Sequence, residues 1–294
     1  MNFITFTNRD DFYMLERFTT HWFAKLIVIL AGLNSSMELM ALEAPADKDE
    51  KSQPNVLFIS LDDLNDWVGC LGGHPQVKTP NLDKLGARGP LFTNAHCQAP
   101  VCNPSRTSVM LGLRPSTTGI YSLQPSFKKV PKYANQVTIP KAFKLNGYNT
   151  STMGKIYHSA LPKGEFDKAG TRPPLPNRFP DKKLVNTPKN HRLVDWGIWP
   201  PKDSDQLDYK TADWAVNELS QKQKDPFFMA VGFFRPHRPL QVPKPWFDQF
   251  PLESIRRPAE PDGVDDWAAI PEFARRLART HARQQRRREP GRQR

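Results

Sequence analysis

Three places in this 294-residue sequence carry residue types whose spacing suits chemistry on an anion. The first is Asp62-Asp63, which follows the apolar run NVLFIS at 55–60. Two adjacent carboxylates offer oxygen ligands to a hard divalent cation; the plainer reading of an acidic pair after a strand is a solvated turn or a helix cap. The second is Cys102-Asn103-Pro104-Ser105-Arg106, with Gly112 further on. A cysteine at a helix N-terminus faces the positive end of the macrodipole, and Arg106 lies one turn on, on the same face. Both favour an anion there, although most cysteines are buried structural residues. The third is GYNTSTMGKIYH at 147–158, which puts Lys155 and His158 just past a strand end. Taken singly, a lysine or histidine in such a place is usually surface decoration.

These residues act together only if a scaffold delivers them to one place. The run at 55–60 is rich in β-branched residues and turns polar at Asp62, the pattern of a strand buried in a parallel sheet. Thr79-Pro80 reads as an N-cap with proline at the first helical position. The sequence further predicts strands at 91–95, 148–153 and 226–234, and helices after Cys102, at 138–146 and at 209–221. Gly147 stops the helix before it. Strands alternating with helices imply βαβ units and a mostly parallel sheet, and ligands of such sheets bind beyond the carboxyl ends of the strands. Residues 162–206, rich in Pro, Lys and Asp, read as a long surface excursion that would shape a substrate mouth.

The net charge of +12 suggests a nucleic-acid binder until it is located. Nine arginines and one glutamate lie in residues 275–294, and all 21 lysines lie at or before Lys244. A phosphate footprint should cover a folded face rather than one terminal run, and no stacking platform or recognition motif accompanies the tail; no nucleic-acid partner is expected. The three cysteines, Cys70, Cys97 and Cys102, are too few for a disulfide scaffold and show no zinc-type CxxC spacing. At the N-terminus, WFAKLIVILAGL at 22–33 is too short to span a bilayer. With Arg17 before it and small residues up to Ala44, residues 1–44 read as a signal peptide, the alternative being an amphipathic or buried first helix. Export to the periplasm or medium follows from the signal reading, with no stable membrane span.

Together the motifs resemble the sulfatase family. C-x-P-S-R with Gly112, then G-Y-x-T-x-x-x-G-K-x-x-H, occur in the family's order, and NVLFISLDD at 55–63 and TPNLDKL at 79–85 look like its opening strand and first helix. The likeness runs from about residue 54 to 255, the N-terminal part of a catalytic domain, and 226–255 is especially similar to the iduronate-2-sulfatase branch. It implies an α/β fold with a mostly parallel, doubly wound sheet of the alkaline phosphatase/sulfatase type. It implies that Cys102 is oxidised by a maturation enzyme to formylglycine, whose hydrate attacks the sulfur of a sulfate ester on a sugar. Asp62, Asp63 and the oxidised residue 102 would hold Ca²⁺. Arg106 and Lys155 would stabilise the nucleophile, His158 would remove its proton, and His237, in RPHRP at 235–239, would bind sulfate or protonate the leaving oxygen. The other histidines, His21, His74, His96, His191 and His281, are assigned to structure or surface.

The resemblance also breaks. The D-H-G segment from which such proteins complete their metal shell is nowhere in the 294 residues, and residues 256–294 are an Arg-, Pro- and Ala-rich tail of foreign composition. The expectation is an incomplete sheet in a truncated or frameshifted chain, with a disordered tail, weak Ca²⁺ binding and little turnover. The apolar faces around residues 55–60 and 227–234 would then be incompletely covered. A non-catalytic, sulfatase-like remnant or binding protein is the alternative.

Overall fold

The computed structural model describes residues 53–171, 180–186, 193–257, 268 and 270–276. The expected signal peptide and most of the basic tail lie outside the described residues. In chain order the strands are β1 (Val56–Leu61), β2 (Asn149–Gly154), β3 (Lys168–Ala169), β4 (Trp196–Ile198), β5 (Phe227–Phe233) and β6 (Leu240–Val242). The helices are α1 (Pro80–Gly86), α2 (Cys102–Leu111), α3 (Pro115–Thr118), α4 (Ile139–Leu145), α5 (Leu207–Leu219) and α6 (Lys244–Phe247). No helix of the described residues is long and apolar enough to cross a membrane.

The main sheet runs β1-β5-β2-β3 and is parallel throughout; β4 and β6 form a separate parallel pair. β5 is flanked on both sides, in register Val56↔Phe228 with β1 and Thr150↔Phe228 with β2. Successive strand residues point to opposite faces, and β5 uses both. Phe228 and Ala230 enter one core with Met110, Ile120, Phe127 and Ile156, while Met229 and Val231 meet Trp214 and Ala215 of α5 on the other side. This two-sided cover makes the fold a doubly wound α/β sheet, and it explains why 226–234 reads as a continuous apolar run rather than an alternation. Phe228 stacks on Phe143 of α4 at 4.4 Å between ring centroids; its truncation to alanine would cost about 3–5 kcal/mol.

Three expectations need correction. Residues 91–95 form no strand: they run as turn and irregular chain, and Phe92 is 58% exposed. The segment LFTNA has no neighbouring strand to pair with among the described residues. The face of β5 is not left bare, since residues 228–231 are buried; the exposed apolar residue lies on β1, at Leu57. The excursion at 162–206 is partly structured, because it supplies β3 to the edge of the main sheet and β4 to the second pair. Of it, residues 172–179 and 187–192 lie outside the described residues.

The chain divides after Pro251. The unit up to Pro251 holds both sheets. In the second, Leu252–Arg294, the described parts are a 3-10 turn at Leu252–Ser254 and a helical turn at 272–276.

Candidate active site

The carboxyl ends of β1, β2 and β5 meet the N-terminus of α2. Asp62, one residue beyond β1, stays on the ladder through its N–H, which donates to the Phe233 carbonyl at 3.1 Å. Cys102 opens α2, with Val101 extended before it and Pro104 in the first turn, where a missing N–H costs nothing. Gly112, at φ 66°, closes the helix in the left-handed conformation that glycine accepts without a Cβ penalty. The crowding at the end of β2 is of another kind. A Cβ on Gly154 would sit 2.0 Å from the Gly232 carbonyl oxygen, and one on Gly232 would sit 2.2 Å from the Lys155 carbonyl oxygen. This bare backbone lets the Lys155 N–H donate to Gly232 at 2.7 Å and brings the lysine over the sheet end.

Asp62 is buried, at 3% exposure, between two cations. Its Oδ1 accepts from Arg106 Nη2 at 2.8 Å, and its Oδ2 is in short contact with Lys155 Nζ. Arg106, itself 2% exposed, also donates from Nη1 to the carbonyls of Lys155 and Ile156. Burial alone would raise the Asp62 pKa, but Arg106 and Lys155 outweigh it and hold the carboxyl below its ordinary value. Lys155 Nζ lies 3.8 Å from Cys102 Sγ and 4.7 Å from the Phe234 ring centroid. The lysine therefore places a positive charge beside the sulfur, with Arg106 on the far side of Asp62.

The histidines differ. Burial, followed by repulsion from Lys155 and Arg106, pulls the His158 pKa below that of a free imidazole. The shift favours the neutral ring, the form that can accept a proton. Its buried Nδ1 has no hydrogen-bond partner among the described residues, nor has the buried Nε of Arg106. His237 reaches the site from the turn after β5. Its Nδ1 lies 2.8 Å from the Arg238 carbonyl, which can only accept, so Nδ1 is the donor and in the neutral ring the lone pair is on Nε2. That Nε2 stands 4.0 Å from Asp62 Oδ2.

Asp62, Cys102, Arg106, Lys155 and His237 are thus in one cluster, with His158 in electrostatic reach of Asp62, Arg106, Lys155 and His237. Asp63 stands apart: it is exposed, and its φ of 67° is unusual for a residue with a Cβ. The groups that bring ligand atoms within 4.8 Å of one another, among the described residues, are Asp62, Cys102 and His237. One carboxylate, already paired with two cations, and a thiol do not make the six to eight oxygen ligands of Ca²⁺. The described residues do not complete a calcium shell.

The sequence reading missed Asp208. At the start of α5 it reads as an ordinary first-turn acid, yet its half-buried carboxylate accepts from the N–H groups of Phe234 and Arg235, both at 2.7 Å. Arg235 then donates to the His237 carbonyl at 2.8 Å. Asp208 thereby braces the turn that carries His237; an acid some 30 residues from the histidine has no local signal for that task. Of the other histidines, His74 packs on Trp67 at 4.8 Å and His96 bonds Asn94 at 2.7 Å, while His21, His191 and His281 lie outside the described residues.

Comparison with known proteins closes the question of kinship. The family model described as Sulfatase matches residues 54–283. A sulfatase of Formosa agariphila is 42% identical over 237 residues, covering 76% of this chain and 46% of that protein. Human iduronate 2-sulfatase is 34% identical over 233 residues, covering 74% and 42%. Among solved structures, a putative sulfatase from Bacteroides thetaiotaomicron superposes with a TM-score of 0.50 at 26% identity, over 76% of this chain and 45% of that one. The phosphonate monoester hydrolase of Agrobacterium radiobacter shares the fold, with a TM-score of 0.55 at 22% identity over 70% and 45%. The chain spans less than half the length of these relatives. With the fold of the alkaline phosphatase/sulfatase type and the family match over most of its length, the chain belongs to the sulfatase family of sulfuric ester hydrolases.

Proposed function

We propose that this chain carries the nucleophile half of a sulfatase site, resembling iduronate 2-sulfatase, that removes sulfate from a sulfated sugar or polysaccharide. The observation that carries the reading is the position of Cys102, at the first turn of α2 with Lys155 Nζ 3.8 Å from its sulfur and Arg106 one turn on. Oxidation of Cys102 to formylglycine by a maturation enzyme would supply a hydrated aldehyde as nucleophile there. The surrounding residues suit the remaining tasks. A sulfate ester gains negative charge on its oxygens as the sulfur is attacked, and preorganised cations in a dry site stabilise that charge. Lys155 provides one such cation, and the unpartnered Arg106 Nε one further donor. Neutral His158 suits the removal of a proton from the attacking hydroxyl, and His237 suits sulfate binding or protonation of the leaving sugar oxygen.

The sugar substrate rests on the relatives: one acts on iduronate 2-sulfate by name, and a Bacteroides thetaiotaomicron relative at 27% identity is a delta 4,5-hexuronate-2-O-sulfatase. Export through residues 1–44 rests on their composition alone. The metal is Ca²⁺ in this reading, with oxygens offered by Asp62, Asp63 and the oxidised residue 102. One observation favours a second reading, a sulfatase-like chain that binds without turnover: Asp63 is not in the ligand group of the described residues.

The test is turnover of an aryl sulfate and of sulfated uronate oligomers by protein co-expressed with a formylglycine-generating enzyme, with and without Ca²⁺. Calcium-dependent hydrolysis that Asp63→Ala abolishes supports the first reading. Formylglycine without hydrolysis supports the second. Hydrolysis that persists in Cys102→Ala would sink both.

A further inference from the structure

As translated, residue 102 is a thiol, and the thiol form has its own donor chemistry. Asp62 oxygen, Cys102 sulfur and His237 nitrogen lie within 4.8 Å of one another. One carboxylate oxygen, one sulfur and one imidazole nitrogen are a poor set for a hard cation but a good one for a borderline, thiophilic ion of the zinc class, which takes four ligands and keeps one position open when the protein supplies three. A second feature points the same way. His237 Nδ1 lies 2.8 Å from the Arg238 carbonyl, so in the neutral ring Nδ1 donates and Nε2, 4.0 Å from Asp62 Oδ2, is the nitrogen left for an ion. A backbone carbonyl on the far ring nitrogen is the usual way a metal-binding histidine is held in the right tautomer. Behind it, Arg235 bonds the His237 carbonyl and Asp208 bonds the Arg235 N–H, so the ring is set from outside the cluster.

We infer that the unmodified chain binds a zinc-class divalent ion through Asp62, Cys102 and His237, and that exchange of the Cys102 sulfur for oxygen abolishes this preference. The inference does not depend on catalysis. Zinc holds sulfur at about 2.3 Å and nitrogen or oxygen at about 2.0–2.2 Å, so the donors must close by about an ångström; Cys102 is only half-buried and His237 sits on a turn. Lys155 is the competitor. Its ammonium touches Asp62 Oδ2 and lies 3.8 Å from the sulfur, so it occupies the place where the ion's charge would go. A divalent ion, with coordinate bonds to a thiolate, must displace it. The thiol proton leaves to solvent on binding, so affinity rises with pH.

Cobalt(II) is the probe, because a cobalt–thiolate bond has its own near-ultraviolet absorption. Titrated into the full-length unmodified protein, Co²⁺ should give that band with one equivalent, and Zn²⁺ should erase it. Cys102→Ser should lose the band, while Cys70→Ser and Cys97→Ser keep it. His237→Ala should weaken binding by about tenfold or more, and Lys155→Gln should tighten it. In the same samples Zn²⁺ should slow alkylation of Cys102 but not of Cys70 or Cys97, read peptide by peptide. Absence of the band in wild type and in Lys155→Gln, or its persistence in Cys102→Ser, overturns the proposal. A formylglycine-bearing sample should show no band; a band there also overturns it. Whether formylglycine forms at all is read separately by mass, so failure of the sulfatase reading leaves this result standing.

Discussion

The two walls of the site are built differently. One wall, from α2 and the end of β2, is part of the core: Arg106 is buried, bonded to Asp62 and to two backbone carbonyls, and Lys155 is pinned by its N–H to Gly232. The other wall, the turn of Phe234 to Pro239, hangs from β5 and is tied back by Asp208. The first carries the charge and cannot move without opening the core. The second carries His237, for which we propose contact with the substrate, and Asp208 ties it to α5. This contrast predicts a large stability effect at the core wall and a local effect at the turn.

The largest effect is expected from Arg106→Ala. It leaves the buried Asp62 carboxylate with Lys155 alone, and breaking a buried ion pair costs about 3–5 kcal/mol. A urea midpoint shifted by less than about 1 kcal/mol would mean that the wall is not part of the core. Next comes Asp208→Ala, expected to cost about 1–3 kcal/mol through the unsatisfied N–H groups of Phe234 and Arg235. Its diagnostic readout is local: the His237 ring resonances should shift while the alkylation rate of Cys102 stays at the wild-type value. Equal disturbance of both would erase the distinction between the walls.

Acidity separates the walls further. The His158 pKa is lowered in the folded state, so its neutral form contributes stability that is present above the ordinary histidine pKa and is lost as pH falls through the lower, folded value. Unfolding free energy should therefore drop on acidification below the ordinary imidazole range, with a shallower drop in His158→Gln. An identical slope in the variant would contradict the placement of His158 beside Lys155 and Arg106. The smallest effect concerns the two neighbouring acids. Asp63 is exposed with a left-handed backbone, so Asp63→Gly should be neutral or stabilising by up to about 1 kcal/mol without added metal. Asp62→Gly should be strongly destabilising, and thermal melts of the pair read the difference.

The same contrast decides what could be read in the sequence. β1, α1, α2, α4, β2, α5 and β5 were legible within two or three residues because an apolar period, a Thr-Pro start or a following glycine marks each. So were the residues of the core wall, since C-x-P-S-R and G-K-x-x-H are local patterns. What failed depended on partners far along the chain. Residues 91–95 carry strand-forming Phe and Thr but meet no neighbour to pair with among the described residues. Lys168–Ala169 joins the sheet through β2, with no β signal of its own. Gly232 reads as one more small residue in an apolar strand until the Lys155 carbonyl is found 2.2 Å from its missing Cβ. Asp208 and Asp63 show the limit most plainly, because identical side chains were sorted by the fold into a half-buried brace and an exposed turn.

The central claim is that Cys102 is the position of the nucleophile, and peptide mass spectrometry tests it most directly. The chain is expressed with a formylglycine-generating enzyme, beside a control sulfatase that is converted in the same cells, and each cysteine peptide is weighed. Cys102 alone should exchange its sulfur for oxygen while Cys70 and Cys97 remain alkylatable thiols. An intact thiol at Cys102 beside a fully converted control would contradict the claim.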